Sequence, residues 1–402
     1  MSTDKKHIVL CNNASLPKRL KKKKDNLLKL FYEGDAKNVD IRLPNFIKSQ
    51  YHLNNRLRDL LEISSSIFLA DRKVPRGTNS DLEFQSWSRK FHFIIKVRDH
   101  MFWNRPEIKK SLCKVLSFMT GDYSYDFTFQ EGRATTPTNL FDTEEYDTTI
   151  NTPTKVILFS GGLDSFAGAV EMLEKTNDKV YLVSHNSGNP STAKTQRIVY
   201  EKINQLYPNR TQHFKFKCSM SGSRAPDETQ RTRSFLYSSI AYAIASNIGN
   251  NCLFFFENGI TSLNFPKRAD MINARASRTT HPKTIKLLSE FFTLLNDTTS
   301  FKVKHPYIFK TKTDVISKLK DLNKEELVNS TVSCSKVFKT TENHTHCGTC
   351  SQCVDRRFAM YSSEMEGNDG DGIYSINFIN DSIEDGGDKT TIIDYVLSLI
   401  HI

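Results

Sequence analysis

The sequence lacks a long hydrophobic run. No apolar stretch approaches the roughly 20 residues that a membrane-spanning helix requires. Nor does MSTDKKHIVL read as a secretory leader, because charge precedes only a few apolar residues and Asn12 and Asn13 soon follow. The expectation is a soluble, cytoplasmic protein with no membrane partner. No internal repeat is visible, which argues against a solenoid. Cysteine is sparse outside one place: of eight, four crowd between Cys334 and Cys353. In a cytosolic chain that crowding suits a metal site better than a disulfide framework.

The 402 residues suffice for two or three domains with a sizeable core. Hydrophobic content is 38% and charged content 25%, which is ordinary globular usage. The formal net charge of +11 suits anionic partners such as nucleotides, nucleic acid or acidic protein. Part of that excess is the block KRLKKKK, Lys18 to Lys24. Its plain reading is a solvated charge run at a domain edge; a nucleic-acid patch is the less favoured alternative.

Patterning divides the chain in three. Residues 1–150 read as an N-terminal accessory α+β domain. It has a strand over Phe91–Arg98, a helix over Leu53–Ala70 and a second helix after Pro106. No catalytic signature stands there, and Gly121 to Pro153 reads as a connection. Residues 151–330 alternate strand and helix: Val156–Phe159, Ser165–Lys175, Lys179–Ser184, Thr192–Tyr207, His213–Cys218, Thr232–Ile248 and Cys252–Phe256. This predicts an α/β fold with a parallel sheet and helices on both faces, and ligands at the carboxyl ends of strands. Residues 331–402 hold the cysteine cluster and an apolar-spaced terminal helix over Thr390–Ile402.

The first strand of the middle region runs into VILFSGGLDSFAG, Val156 to Gly168. Gly161 and Gly162 let backbone N–H groups approach an anion, and a helix opening near Ser165 adds unpaired N–H groups. The hydroxyls of Ser160 and Ser165 can donate to phosphate oxygens. The familiar phosphate loop has lysine after its last glycine. Here Asp164 and Ser165 stand instead. Asp164 would repel phosphate, so it is read as an N-cap or a magnesium-side carboxylate. The bland alternative is a strand–turn–helix corner without a ligand.

Cys347-x2-Cys350-x2-Cys353 with Cys334 upstream offers four thiolates for a tetrahedral, closed and therefore structural zinc site. His344 and His346 compete with Cys334 for the fourth position. Buried thiols without a metal and an iron–sulfur cluster are the rival readings.

SGGLDS, Ser160 to Ser165, resembles the PP-loop of the ATP pyrophosphatase superfamily. That resemblance implies an adenine nucleotide alpha-hydrolase-like fold. It also implies ATP with Mg2+ bound by Ser160, Gly161, Gly162, Leu163, Asp164 and Ser165, an adenylated intermediate, and pyrophosphate as leaving group. Loop and cysteines together resemble the QueC family, the 7-cyano-7-deazaguanine synthases, with Cys347-Gly348-Thr349-Cys350-Ser351-Gln352-Cys353-Val354-Asp355-Arg356 as the second hallmark. The family setting favours Cys334 as fourth zinc ligand. RTRSFLYSSIAYAIA (from Arg231) and TKTDVISKL (from Thr311) resemble two further family stretches. They make Arg233 and Lys312 catalytic candidates beside Asp164 and Ser165. Arg231, Arg278 and His281 are candidate charge stabilisers, and Glu257 and Asn258 candidate readers of the base edge. Lone charged residues on a solvated face are the bland reading of Arg233 and Lys312.

The departures from the family are SHNSGNP (from Ser184), ENGITSLNFPKR (from Glu257) and SRTTHP (from Ser277). ENG-x-x-SLN-x-P together with RTTHP resembles the QueC-like branch of bacterial anti-phage operons of the Qat and CBASS types. What this implies is an ATP-dependent ligase that adenylates a 7-carboxy-7-deazaguanine carboxylate and passes it to ammonia or to an amine of an operon partner protein, such as an N-terminus. A synthase of queuosine biosynthesis, a tRNA-modifying thiolase or lysidine-type enzyme, and an inactive scaffold are the alternatives.

Overall fold

A computed structural model describes residues 6–20, 26–32, 34–42, 53–76, 88–132, 153–186, 189–221, 231–264, 278–296, 299–336, 344–383 and 386–400. Most of the basic block, residues 133–152 of the expected connection, and parts of the SHNSGNP, ENGITSLNFPKR and SRTTHP segments lie outside the described residues.

The elements, in chain order, begin with strands β1 (Lys6–Cys11), β2 (Leu27–Leu30) and β3 (Val39–Arg42), then helix α1 (Asn55–Lys73). β4 (Lys90–Val97), α2 (His100–Trp103), α3 (Pro106–Thr120) and β5 (Ser124–Glu131) follow. Next come β6 (Thr154–Leu158), α4 (Leu163–Lys175), β7 (Lys179–His185), α5 (Pro190–Leu206) and β8 (Thr211–Met220). The remainder comprises α6 (Arg233–Asn247), β9 (Cys252–Phe254), α7 (Gly259–Leu263), α8 (Pro282–Leu295), β10 (Lys302–Lys304), α9 (Lys312–Asp321), α10 (Ser351–Ser362) and α11 (Gly387–Ile400). No described helix is long and apolar enough to cross a membrane.

Two compact units share the chain. One comprises residues 1–151, 214–253 and 277–304; the other comprises residues 152–213, 254–276 and 305–402.

In the first unit, β2, β1, β4 and β5 lie side by side in that order, all parallel. β4 is an inner strand, and its run Phe91 to Ile95 is buried without alternation, as a strand covered on both faces requires. β5 corrects the reading of Gly121 to Pro153 as a connection. Tyr125, Phe127 and Phe129 alternate inward along SYDFTFQE, and the Phe127 ring stacks on Phe93 at 5.3 Å. The alternation of Tyr125, Phe127 and Phe129 with polar residues is itself the two-residue period of a half-buried strand, in a stretch whose Thr, Asp, Gly and Pro content suggested a connection. α1 is capped by Asn54, which accepts from the Leu57 N–H at 2.9 Å. α3 opens on Pro106 and stops at Gly121, where φ is +73°. α1 packs on α6, and α3 packs on α8. Four buried charges, Asp71, Arg76, Arg89 and Asp122, neutralise one another in this unit. Asp71 Oδ2 also accepts from Thr232 N (2.9 Å) and Thr232 Oγ1 (3.0 Å) at the start of α6.

In the second unit, β6 pairs in parallel with β7, with Ile157 opposite Leu182, and with β9 at Phe254. The α/β class expected from the alternation is the class found. α4 follows β6 at once. Its Gly168 sits against the Phe256 ring, where a Cβ would stand 2.0 Å from the ring carbon. α9 opens on a capping box between Thr311 and Asp314. α11 meets α10 through Tyr395, whose hydroxyl donates to Asp355 Oδ1 at 2.6 Å.

Candidate functional site

β6 fixes where the glycine turn begins. Val156, Ile157, Leu158 and the following Phe159 are all buried, so the chain surfaces at Ser160. Gly161 takes φ +81°, the left-handed region that favours glycine. A Cβ on Gly161 would also lie 3.1 Å from Gln196 Cγ and 3.3 Å from Gln196 Cα. Gln196 Nε2 donates to the carbonyl oxygens of Ser160 (3.4 Å) and His185 (3.3 Å). Helix α5 therefore backs the turn, a role that nothing in the local sequence signals.

Gly162 is the N-cap of α4 and has no side chain to cap it. The first N–H groups of a helix have no acceptor within it, and that end of the dipole is positive, so the position suits an anion. The two serines meet each other. Ser165 Oγ donates to Gly162 O at 3.0 Å, lies 3.1 Å from Ser160 Oγ, and Ser160 Oγ accepts from Gly162 N at 3.2 Å. Ser160 is exposed and Ser165 is buried, while Leu163 turns its side chain into the core.

Of the two roles expected for Asp164, capping is not the one the structure gives it. Asp164 is the second residue of α4 and is buried. Its Oδ2 accepts from Asn258 Nδ2 (2.9 Å) and from Lys312 Nζ (3.3 Å). Its Oδ1 is buried with no hydrogen-bond partner among the described residues. Burial pushes this carboxyl up, but the Lys312 charge, with Glu257 and Asn258, outweighs it and holds the group below the ordinary carboxylate value. Lys312 is itself buried, at the first residue of α9. Asn258 also caps α7, accepting from Thr261 N at 3.0 Å. His305, absent from the sequence reading, shares a hydrogen bond with Ser262 Oγ at 3.1 Å. Burial pulls its imidazole down to about 4, against the opposing pull of Asp164, which leaves the ring neutral near pH 7.

The loop residues, Glu257, Asn258 and Lys312 all fall in the second unit. Arg231, Arg233, Arg278 and His281 fall in the first. Arg231 is buried, and Arg233 is exposed with its guanidinium 5.8 Å from the Tyr237 ring centroid. Arg278 donates to Phe118 O at 3.3 Å. His281 caps α8, its Nδ1 accepting from Lys283 N at 3.1 Å. Burial, with the charges of Arg278 and Lys283, lowers its pKa below the ordinary histidine value.

The four cysteines converge. Their Sγ atoms all lie within 4.8 Å of one another, and all four residues are buried. Cys334–Cys350 and Cys347–Cys353 are each 3.9 Å apart, and Cys350–Cys353 is 3.4 Å. Thiolates at about 2.3 Å around one tetrahedral ion stand roughly 3.8 Å from each other. The donor set therefore fits a single tetrahedral ion. The rival fourth ligands are engaged elsewhere. His346 Nε2 accepts from Ser333 N at 3.2 Å, and His344 Nδ1 lies 3.1 Å from Gly372 O. Gly348, at φ +84°, leaves no room for a side chain, since a Cβ would fall 1.8 Å from Ile376 O.

Fold and clusters define a class: an α/β protein with a glycine turn at a helix N-terminus and a buried four-cysteine candidate metal site. Residues 216–364 match the family described as "Queuosine biosynthesis protein QueC". The match takes in the cysteine cluster and Lys312, and begins downstream of the glycine turn. No curated protein sequence matches the chain. Among solved structures it is similar to the U34-tRNA thiolase NcsA from Methanococcus maripaludis, determined with its 4Fe-4S cluster. Identity is 13% and TM-score 0.31, over 63% of this chain and 74% of that one. It is also similar to a glycosyltransferase from Rickettsia africae, at 12% identity and TM-score 0.21, over 80% and 90%. At these scores neither likeness bears on fold or function.

Proposed function

We propose that the protein is an ATP-dependent, adenylate-forming C–N ligase acting on a 7-deazaguanine carboxylate. The observation that carries this reading is the Ser160–Ser165 turn. It joins a parallel strand to a 13-residue helix, beside the buried Asp164–Lys312 pair, in a QueC-like chain. The unpaired N–H groups of α4 would receive the β- and γ-phosphates. A substrate carboxylate oxygen attacks the α-phosphorus, the bond to the β-phosphate oxygen breaks, and pyrophosphate leaves. An amine then attacks the acyl carbon, loses a proton and expels AMP. Positioning and electrostatics suffice for both steps. The Lys312 ammonium and the hydroxyl of Ser165 are proposed to meet developing negative charge, on the family resemblance of their segments. Glu257 and Asn258 are proposed as base contacts. Asp164, with its buried and unpartnered Oδ1, fits a magnesium ion, which would neutralise phosphate charge. Cys334, Cys347, Cys350 and Cys353 would hold a structural zinc.

The acceptor is ammonia or an amine of a partner protein in an anti-phage operon, a reading supported by the ENGITSLN and RTTHP segments. The test is ATP–pyrophosphate exchange with 7-carboxy-7-deazaguanine, followed by mass spectrometry of products and operon proteins. Exchange that depends on the deazaguanine and disappears in Ser165→Ala is expected, with a mass increase on the acceptor. Absence of exchange overturns the ligase, and free nitrile reassigns the chain to a biosynthetic synthase. Stoichiometric iron would favour a thiolase.

A further inference from the structure

The cysteine motif ends in a residue to which neither the metal nor the reaction gives work. Arg356 lies in α10 with 0% of its surface exposed. Its Nε donates to Asp369 Oδ1 at 2.8 Å. Its Nη1 donates to Thr331 Oγ1 (2.9 Å), Thr331 O (3.2 Å) and Ser333 Oγ (3.4 Å). Its Nη2 donates to Val328 O at 2.9 Å. One guanidinium thus grips residues 328–333 at three places, and the next residue is Cys334.

The gripped strip touches both clusters. Val332 packs against Cys334, Cys347, Cys350 and Cys353. Its carbonyl oxygen also lies 3.5 Å from where a Cβ on Gly162 would stand. Lys202 of α5 holds the same strip, donating to Ser330 Oγ. A buried guanidinium is costly unless its donors are met, and an apolar side chain of similar volume is often as stabilising. What an arginine adds is a rigid fork of directed, charge-assisted bonds, and here they fix one strip of backbone.

We propose that Arg356 is a positioning residue that couples the cysteine cluster to the glycine turn, so that metal loading sets how tightly the turn holds its nucleotide. With metal bound, Cys334 and Arg356 hold the strip from both of its ends and Gly162 keeps its backing. Without metal, the Cys334 end is released and the turn loosens. The affinity part of this proposal rests on the nucleotide reading of the turn; the backbone part does not.

The experiment uses the full chain, metal-loaded or stripped with a chelator, with metal content measured throughout. Hydrogen exchange is followed for residues 160–166, and Mg-ATP binding by calorimetry. Stripping the wild type should speed exchange in the turn and weaken ATP binding, each by about tenfold. Arg356→Met should show the same change while still carrying one metal per chain, and stripping it should add little. Thr331→Val, which removes one acceptor, should show a smaller change in the same direction. Unchanged exchange in the turn on stripping, or wild-type ATP binding by loaded Arg356→Met, overturns the coupling. If Arg356→Met does not fold, Thr331→Val and Ser333→Ala decide. A wild type that binds no ATP sinks the proposed function, and the exchange data still judge the coupling.

Discussion

Lys312 and Asp164 lie 148 positions apart and meet as a buried pair. Lys312→Met leaves a carboxylate buried without its counter-charge, and breaking a buried pair from one side typically costs about 3–5 kcal/mol. Urea unfolding should show a loss of that size. Asp164→Asn together with Lys312→Met should recover part of it, because no charge then remains unpaired. The pair also sets a pH dependence. Asp164 titrates lower in the folded protein than in the unfolded chain, so its stabilisation is complete above the unfolded value of about 3.9. It is lost as pH falls through the folded value. Wild-type stability should therefore drop more steeply in acid than that of Lys312→Met. Gly161→Ala meets both a left-handed φ and the Gln196 side chain. A loss of about 1–2 kcal/mol is expected from the backbone alone, read by urea denaturation. Mg-ATP affinity should fall with it.

At the scale of elements, what was legible was whatever a local pattern can carry. The apolar run into Ser160, the alternation of strand and helix, and the cysteine spacing each lie within a few residues, and each yields the element or cluster found. β5 was missed because the composition of Gly121 to Pro153, rich in Thr, Asp, Gly and Pro, outweighed the alternation that Tyr125, Phe127 and Phe129 do show. β3, β10 and α7 span three to five residues each, too short to show a period. The polar partners of the turn were illegible for another reason. Asn258 reaches Asp164 across 94 positions, and no spacing rule connects such residues. Gln196 acts through backbone contact, and Arg356 through acceptors on another element. The start of α6 gives a test at this scale. Thr232 does not cap its own helix and instead gives both its N–H and its hydroxyl to Asp71. Asp71→Ala should destabilise by about 3–5 kcal/mol, because Arg76 and Arg89 lose a buried counter-charge. Thr232→Val removes one hydroxyl bond and should cost about 1 kcal/mol. Thermal or urea denaturation distinguishes the two.

On the scale of the molecule, the chain alternates between its two units in six stretches. The first unit takes α6 and α8 from the middle of the sequence to cover α1 and α3. A fragment of residues 1–151 therefore lacks half of its helical packing. It should give a poorly dispersed amide spectrum and bind a dye for exposed apolar surface. A fragment of residues 152–402 should be poorly soluble, because Phe235 and Phe291, which pack together on α6 and α8, lose the helices that cover them. The full chain should show neither behaviour. The same winding has a consequence for descent. The stretch that matches a known family starts inside β8, in the first unit, and ends just beyond α10, in the second. A genetic crossover at the upstream edge of that stretch would divide both units, whereas one at its downstream edge would cut only the second. An exchange at either edge would join part of a unit to a sequence it did not fold with.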